Sequence, residues 1–506
     1  MIPIHLDRET QKPLYAQIRD ALKQAMRSDS LKPGDQLPTV AALAASLGVT
    51  QTTVRRAYED LTKDRSVFCH VGRGTFVCDP QAQEKETEPA RAPAEPLDPE
   101  FRRAARRLRM GIAKSLDNLL ALQQKPGLIQ FTSGSPPAEI LPEGFLEEPV
   151  LQALREVPEV YRACGEFSGL YGLRQVLAER FSRSGRRVTP DMVLITSGSQ
   201  QALSLVAQSL LGGDRRIVCE TPCYTGVPNA FEALGHWVES VPRDQEGPLP
   251  ERLARFAGGG RVLLYLCPFL HNPMGTDLSP ARRRVVLDWA GENDALLLSD
   301  EIFQDLRFEG PPPPSLLAEY GPERTIMVGS LSKSFFSGLR IGWLVSDPER
   351  VRGLGALKKT ADLGCPPLMQ GLALVLLESG QYDAHVDKVR EIYRRRRDAA
   401  VSALARHMPA GVSWTEPAGG FNMWVELPAG FSSIALYFLA LEQGVSFIPG
   451  PYMDLDHRYV NAFRLSYGGV EVEQIQEGVE LLALAVKALL KQAPGDPGLG
   501  GLGDFL

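Results

Sequence analysis

The sequence predicts two folded parts, an N-terminal winged helix-turn-helix and a larger α/β body whose sheet is mainly parallel. Three observations predict this fold class. Residues 1–78 contain three helical patterns followed by a hairpin, residues 79–100 are rich in Pro, Ala and Glu, and strand-like apolar runs alternate with helical patterns from residue 128 onwards. Such alternation is typical of a sheet covered by helices on both faces, and a later change to long helices indicates a smaller α+β C-terminal subdomain.

The composition is that of a globular protein of 506 residues, of which 44% are hydrophobic and 23% are charged. These values exclude collagen, a disulfide-rich mini-protein and wholesale disorder. The formal net charge is -6. Any contact with nucleic acid must therefore come from a local basic surface rather than from the field of the whole chain.

Two further features bear on cellular location. Every apolar run is shorter than the roughly 18 residues that a membrane span needs, and Asp7, Arg8 and Glu9 lie where a signal peptide would be apolar. The seven cysteines are irregularly spaced, which favours buried reduced thiols over a disulfide framework or a metal site. We therefore expect a cytoplasmic protein that binds neither a membrane nor a metal.

The first 78 residues carry the signals of a helix-turn-helix with a wing. The first helix has an apolar face whose residues recur at steps of four: Leu14, Ile18, Leu22 and Met26. Thr39 can cap a short second helix that Gly48 ends, and the third, or recognition, helix extends over Thr50–Lys63. The runs Val67–Cys69 and Thr75–Cys78 are strand-like and predict a hairpin wing.

Changes of character along the chain predict four segments: a head at residues 1–78, a linker with a basic segment at 79–127, a body at 128–490 and a flexible tail at 491–506. The first part of the linker has almost no large apolar residue, so it cannot bury enough surface to offset its ordering entropy. Five arginines lie between Phe101 and Arg109. They are typical of a solvated helix face, or of a surface that contacts DNA phosphates or the body.

The strands of the body are predicted from nearly continuous apolar runs, as expected for strands buried on both faces: Val193–Thr196, Ile217–Glu220, Val262–Cys267, Ala295–Ser299 and Thr325–Val328. Helical patterns such as Gln200–Leu211 and Pro280–Trp289 separate most of them. The smaller subdomain is expected to begin in the run from about Lys358 to Glu426.

Polar clusters follow four of these strands, at the edge of a parallel sheet where ligands bind. The clusters contain a lysine, a carboxylate, an asparagine, an arginine and two hydroxyl-rich segments that can hold an anion. A lysine at the end of a buried strand can form a Schiff base with a carbonyl, and a carboxylate opposite it can keep a pyridine nitrogen protonated. Together these groups are the protein side of pyridoxal phosphate chemistry.

Residues 128–490 resemble the fold-type I, class I/II aminotransferases, with the motifs TSGSQQAL, TPCY, HNPMGT, DEIF, SLSKSFFSGLRIGW and FRLSYG in family order. Residues 12–78 resemble the GntR-type winged helix. A GntR head, a linker and an aminotransferase-like body together resemble the MocR subfamily of transcription regulators. The resemblance implies a homodimer that binds operator sites in double-stranded DNA and senses an amino compound through pyridoxal 5'-phosphate.

The resemblance also assigns roles around the cofactor ring. Lys333 is implied as the Schiff-base lysine that would form the aldimine, and Asp300 as the partner of the pyridine nitrogen. Tyr224 would stack on the ring, and Asn272 would hydrogen-bond the ring hydroxyl oxygen. Lys333, Asp300 and Tyr224 are the implied catalytic residues.

The remaining roles concern the phosphate, the ligand and DNA. The resemblance implies four phosphate-binding residues: Ser199, Gln200, Ser330 and Arg340. Arg464, with Gly134 beside it, would bind the carboxylate of an amino-acid ligand through its bidentate fork. The candidate DNA contacts of the head are Thr39, Thr52, Thr53, Arg55 and Arg73.

Four positions depart from the family patterns. Phe303 and Cys164 stand where aminotransferases usually have tyrosines that contact the cofactor, and Ala41 and Gln51 stand where GntR heads usually have arginines that touch DNA. Two functions follow. One is a DNA-binding regulator that senses an amino compound, and the other is an active aminotransferase that uses a 2-oxo acid acceptor and carries a vestigial head. The intact head, whose motifs align in register with those of the GntR family, favours the regulator. Ala41 and Gln51 favour the aminotransferase.

Overall fold

The computed structural model describes residues 6, 10, 12–28, 31–32, 35–63, 66–70, 74–77, 127–134, 136–137, 140–161, 166–183, 185–456 and 458–492. The chain divides into two compact units, Met1–Pro96 and Leu97–Leu506. The predictions for Arg73, Cys164, the linker at 79–126 and the tail from residue 493 lie outside the described residues.

The head contains three helices and a two-stranded antiparallel wing: α1 Leu14–Arg27, α2 Val40–Leu47, α3 Gln51–Lys63, β1 Val67–His70 and β2 Gly74–Val77. The Thr39 hydroxyl oxygen accepts the N–H of Ala42 at 3.2 Å and caps α2. Gly48 ends that helix with a φ of 61°, and Ile18 lies fully buried in the core between the helices. The predicted winged helix-turn-helix is confirmed.

The body is built on an eight-stranded sheet: β4 Val193–Thr196, β5 Arg216–Thr221, β6 Val238–Asp244, β7 Gly247–Pro248, β8 Val262–Leu266, β9 Leu296–Asp300, β10 Thr325–Ser330 and β11 Gly342–Val345. The strand order is β4-β11-β10-β9-β8-β5-β6-β7. Strands β6, β5, β8, β9 and β10 are parallel. Both β4 and β10 pair antiparallel with β11 and thus share one direction, so the mainly parallel sheet is confirmed.

Helices surround this sheet: α4 Glu147–Glu156, α5 Tyr171–Ser182, α6 Ser199–Ser209, α7 Gly226–Glu232, α8 Pro250–Leu253, α9 Pro280–Glu292, α10 Leu316–Tyr320, α11 Pro348–Asp362, α12 Pro367–Glu378 and α13 Gln381–His407. Both faces of the sheet are buried. Along β8, Leu263 and Tyr265 belong to one apolar core, whereas Leu264 and Leu266 belong to another. Because successive side chains point to opposite faces, the strand must be apolar throughout.

Within the described residues, six short 3₁₀ helices connect these elements: Pro158–Tyr161, Pro190–Met192, Ala254–Phe256, Gln304–Leu306, Ser337–Leu339 and Gly450–Tyr452. Four cysteines are buried free thiols, as the sequence predicts: Cys219, Cys223, Cys267 and Cys365. Within the part of the chain that the structure describes, no helix is both long and apolar enough to cross a membrane.

The C-terminal subdomain contains a four-stranded antiparallel sheet: β12 Ser413–Trp414, β13 Asn422–Glu426, β15 Ile448–Pro449 and β16 Ala462–Ser466, in the order β12-β13-β16-β15. It also contains α14 Ser433–Glu442 and α15 Val472–Leu490. The subdomain begins within the expected run: α12 packs in the core of the large sheet, whereas α13 from Val389 onwards packs in the core of the C-terminal subdomain.

The start of the body also belongs to this C-terminal subdomain, which the sequence analysis did not anticipate. Strand β3, Ile129–Gln130, pairs in parallel with β14, Val445–Ser446. The N–H of Ile129 donates to the Gly444 carbonyl at 2.9 Å, and the carbonyl of Phe131 accepts the N–H of Ser466 at the same distance. We call residues 127–134 the leading segment.

Candidate active site

The candidate site lies where the carboxyl ends of β4, β5, β8, β9 and β10 meet at one edge of the large sheet. Each of these strands is followed by residues that the sequence analysis singled out. Asp300 is the last residue of β9 and Ser330 the last of β10. The parallel sheet therefore collects side chains that are far apart in the sequence.

Lys333 follows β10 and reaches across the site to the leading segment. Its ammonium group donates to the carbonyl oxygen of Gly134. Burial, with the positive charges of Arg464 and Arg340, lowers the pKa of Lys333 to about 8, although the nearby Asp300 carboxylate acts in the opposite direction. A neutral amine is therefore far more accessible than for a lysine in water, which is what a Schiff-base nucleophile requires.

Asp300 is a buried carboxyl group held by two hydrogen bonds. The hydroxyl of Tyr265 donates to Oδ2 at 3.0 Å, and the N–H of Ile302 donates to Oδ1 at 3.3 Å. Burial raises the pKa of Asp300 to about 6, and the hydrogen bond from Tyr265 and the charge of Lys333 oppose this rise. The carboxylate has no ion-pair partner among the described residues, so a protonated ring nitrogen would supply the missing cation.

Arg464, on β16, joins the C-terminal subdomain to the site. Its Nη1 donates to Oδ1 of Asn272 at 3.1 Å, and its Nη2 donates to the carbonyl of Thr132 at 2.9 Å. In the described part of the chain its Nε has no hydrogen-bond partner. Burial lowers the pKa of Arg464 to about 10. A buried guanidinium with an unused donor is suited to bind a carboxylate.

A cradle for an anion lies at the start of α6. Gly198 caps this helix with a φ of 78°, and Ser199 is its first residue, so backbone N–H groups point into the site. Arg340 donates from Nη2 to the carbonyl of Ser197 at 2.8 Å. A Cβ atom at position 198 would lie 2.8 Å from that same nitrogen. Glycine is favoured here because an L side chain is strained at this φ, and a Cβ atom would also displace the tip of the arginine.

The other predicted phosphate residues have defined partners. The hydroxyl of Ser330 donates to the carbonyl of Ile341 at 3.0 Å and accepts the N–H of Ser332 at 3.1 Å, so it also stabilises the turn that carries the lysine. Gln200 accepts a hydrogen bond from the hydroxyl of Tyr224 at 3.2 Å. Tyr224 is partly buried, and burial raises its pKa.

Phe303 is integrated into the core of the C-terminal subdomain rather than into a polar network. Its ring packs edge-on against Phe421 with 5.3 Å between the ring centroids, and 1% of the residue is exposed. The family's tyrosine hydroxyl thus has no equivalent at this position.

These residues fit pyridoxal phosphate on the chemistry of the donor set. The site combines a lysine of lowered pKa, a buried carboxylate without a cationic partner among the described residues, and a helix N-terminus beside an arginine. These groups suit, in turn, an aldehyde carbon, a pyridinium nitrogen and a phosphate.

The described DNA-contact candidates of the head fall into two groups. Thr52 and Arg55 are exposed on α3. Thr39 caps α2, and the hydroxyl of Thr53 lies 2.9 Å from the hydroxyl of Thr50. The second pair therefore shapes the helix-turn-helix, whereas the first lies on the exposed face of α3.

Two family profiles cover most of the chain. The profile of aminotransferase class I and II matches residues 126–482, and the profile of bacterial regulatory proteins of the gntR family matches residues 14–77. The chain belongs to the MocR subfamily of GntR-type regulators, with a class I and II aminotransferase body. This MocR-type protein is therefore a DNA-binding transcription regulator whose body is of the pyridoxal-phosphate-dependent kind.

Similar proteins include both regulators and enzymes. An uncharacterized HTH-type transcriptional regulator of Bacillus subtilis, YdfD, is 30% identical over 94% of this chain and 97% of its own length. The 2-aminoadipate transaminase of Thermus thermophilus is 37% identical over 75% of this chain and 95% of its own. The crystal structure of LysN, an alpha-aminoadipate aminotransferase from Thermus thermophilus complexed with N-(5'-phosphopyridoxyl)-L-leucine, gives a TM-score of 0.68 at 35% identity, covering 74% of this chain and 95% of that chain.

The sequence analysis missed two groups in the site of this MocR-type regulator. Tyr265 lies inside an apolar strand and does not stand out from it, and the Thr132 carbonyl, which binds Arg464, is a backbone atom. The signal that could have revealed Tyr265 is that it is the single hydroxyl-bearing residue in the run VLLYLC. A backbone acceptor leaves no signal in the sequence.

Proposed function

We propose that the body of this regulator binds an amino compound through pyridoxal phosphate at Lys333, and that this binding changes the affinity of the heads for operator DNA. The observation that carries the proposal is the buried site in which Asp300 and Arg464 both act electrostatically on Lys333, in a chain that also has a GntR head. A regulator of DNA belongs in the cytoplasm with the DNA that it binds.

We assign one set of residues to binding the cofactor and another to binding the ligand. Pyridoxal phosphate supplies a carbonyl carbon and an electron-withdrawing ring to an amino compound. Lys333 would hold the carbonyl carbon, Asp300 the ring nitrogen, Asn272 the ring oxygen and Tyr224 the ring face. The phosphate-binding residues are Ser199, Gln200, Ser330 and Arg340.

Arg464 selects ligands that carry a carboxylate, with Gly134 beside it. In this structure the Lys333 amine donates to the carbonyl oxygen of Gly134, a contact that it would give up on attachment to the cofactor. When a ligand takes the place of Lys333, the released amine is free to make that contact again, so the leading segment gains one of the contacts that hold it. A ligand that binds the two arrangements unequally shifts the population between them.

The regulator is proposed to act as a homodimer that binds double-stranded DNA with two heads. Thr52 and Arg55 are the exposed contacts of the recognition helix, and Thr39, Thr53 and Arg73 complete the proposed DNA-binding set. One head offers a small contact area, so two heads on one DNA raise the affinity by increasing the effective concentration of the second. Sedimentation at micromolar concentration should give a dimer, and a monomer there would contradict this part.

The test of coupling is operator affinity at fixed salt, using DNA from upstream of the chain's own gene. We expect an amino acid that changes the visible spectrum to change operator affinity by about five- to 150-fold, the range of typical coupling free energies. Lys333→Ala should bind DNA but give no response to the amino acid. Equal affinities for the wild type, the ligand-bound wild type and Lys333→Ala would show that body and head are uncoupled.

A second function is favoured by the 37% identity to a transaminase over 75% of the chain. In this alternative the body turns over amino acids with a 2-oxo acid acceptor and the head is vestigial. A transamination assay run beside the DNA-binding assay separates the two. Turnover without binding of any upstream DNA would favour the enzyme.

A further inference from the structure

Tyr265 has no assigned role, yet its side chain forms a hydrogen bond with Asp300. It lies on β8, next to β9, and pairs in register with Leu298, two residues before Asp300. The strand register therefore brings its hydroxyl to the carboxylate, where it donates to Oδ2 at 3.0 Å. Its side chain is fully enclosed, with 1% of the residue exposed.

The two oxygens of Asp300 are thereby held from two sides. Oδ2 accepts from Tyr265 on the neighbouring strand, and Oδ1 accepts from the N–H of Ile302 in the following turn. One hydrogen bond allows a carboxylate to rotate, whereas two in different directions fix its plane. An acceptor with fixed lone pairs can meet a ring nitrogen without reorganisation.

The charge balance around Asp300 makes this donor important. Burial and the Glu220 carboxylate on β5 favour the protonated form of Asp300, whereas Tyr265 and Lys333 favour the ionised form. The other titratable groups that interact with Asp300 are Tyr224 and Cys267. Burial and the Asp300 charge raise the pKa of Tyr265 well above its ordinary value. Tyr265 therefore keeps its proton and donates at every working pH.

Phe303 does not supply a second side-chain donor to Asp300. It follows Asp300 by three residues and packs against Phe421, so it offers no hydroxyl to the site. Among the described residues, the side-chain hydrogen bond to Asp300 comes from Tyr265.

We propose that Tyr265 is a positioning residue, which orients Asp300 and keeps it ionised so that it can hold the pyridine nitrogen of the cofactor in the protonated state. The inference rests on the proposed function, because it requires the cofactor to bind at Lys333 and Asp300. Tyr265 touches the carboxylate and acts through it.

The experiment compares full-length wild type with Tyr265→Phe, which removes one oxygen atom and leaves the ring in place. We expect cofactor to dissociate about tenfold more readily, the effect of losing one hydrogen bond to a charged group. Without the donor the pKa of Asp300 rises, so the acid transition in the visible spectrum of the bound cofactor should move to higher pH by about one unit.

The matched control is Tyr467→Phe. Tyr467 is also fully buried, and its hydroxyl donates to the carbonyl of Gly420 at 3.1 Å, away from Asp300. This variant loses the same atom from a buried site, so a general loss of packing would affect both variants. We expect its spectral transition to match that of the wild type.

A double-variant cycle tests whether Tyr265 acts through Asp300. In the Asp300→Asn background, Tyr265→Phe should cause no further loss of cofactor affinity, because the charge that it supports is gone. Equal spectral transitions in Tyr265→Phe and wild type, or an additive loss in the double variant, would overturn the assignment. If the spectrum of cofactor added to wild type stays that of free cofactor, the proposed function falls and this inference with it, whereas a normal wild type with an unaltered Tyr265→Phe removes this inference alone.

Discussion

Replacing Arg464 with methionine should separate recognition of the ligand's carboxylate from recognition of its amine. The guanidinium is buried, with 8% of the residue exposed, and its Nε has no partner among the described residues. Methionine retains most of the buried side-chain length and adapts to irregular space, but it has no charge and no donor.

The magnitude follows from the number of bonds that are lost. A fork of two N–H groups gives a carboxylate two charge-assisted hydrogen bonds, each contributing about 1.5–3 kcal/mol. Two bonds at the low end give about 3 kcal/mol, which corresponds to about a hundredfold in the dissociation constant. An amine without a carboxylate should bind both proteins equally.

The variant should also change the pH dependence of cofactor attachment. The positive charge of Arg464 is one of the causes that lower the pKa of Lys333 to about 8. Without that charge the pKa of Lys333 rises, so the amine is more fully protonated at any given pH near 8. The pH at which cofactor attaches to Lys333 should therefore move upwards in Arg464→Met.

The assay follows the visible spectrum of the cofactor-loaded protein during titration. Each amino acid of a panel is paired with its decarboxylated amine, for example L-leucine with 3-methylbutylamine, so the two ligands differ only in the carboxylate. The ratio of their dissociation constants is compared between wild type and Arg464→Met. If the ratio is unchanged, whether the affinities for both ligands fall or neither does, the role of Arg464 in binding the carboxylate is refuted.

Four further predictions concern single positions. Lys333→Ala should yield no cofactor-labelled peptide after borohydride reduction, and a label on another lysine would refute the attachment site. Phe303→Tyr should raise cofactor affinity about fivefold if its hydroxyl reaches the cofactor, since a neutral hydrogen bond contributes about 1 kcal/mol, and an unchanged dissociation constant would show that it does not. Ile18→Ala should destabilise the head by about 3 kcal/mol while the visible spectrum of the body stays constant, and a changed spectrum would contradict the independence of the two cores. Arg55→Ala should weaken DNA binding and reduce the salt dependence by about one phosphate contact, whereas an unchanged slope would exclude that contact.

The sequence predicted five strands of the large sheet from strong apolar runs and missed three: β6, which polar residues interrupt, and the short strands β7 and β11. Strand β8 is an unbroken apolar run because both of its faces are buried. Strand β6 was missed because it contains Arg243, which is buried and forms an ion pair with Glu220 on β5 at 3.1 Å. A charge that is neutralised by a neighbouring strand looks like a surface residue in the sequence, since the pairing depends on the tertiary structure.

The site shows the same limit. Lys333 and Asp300 were found because they follow buried strands and because the family motifs surround them. The contact of Tyr265 with Asp300 depends on the register of two strands, and that register is set by packing over the whole sheet. The Thr132 carbonyl was missed because every residue carries one.

The leading segment lies both at the ligand site and at the start of the body. Within residues 127–134, the carbonyl of Thr132 accepts from Arg464 and that of Gly134 accepts from Lys333. The stretch of chain through which the linker joins the body is thus also a wall of the pocket. In the coupling proposed above, ligand occupancy acts on the same few peptide groups that connect the body to the preceding chain. Such a signal needs no route through the eight-stranded sheet.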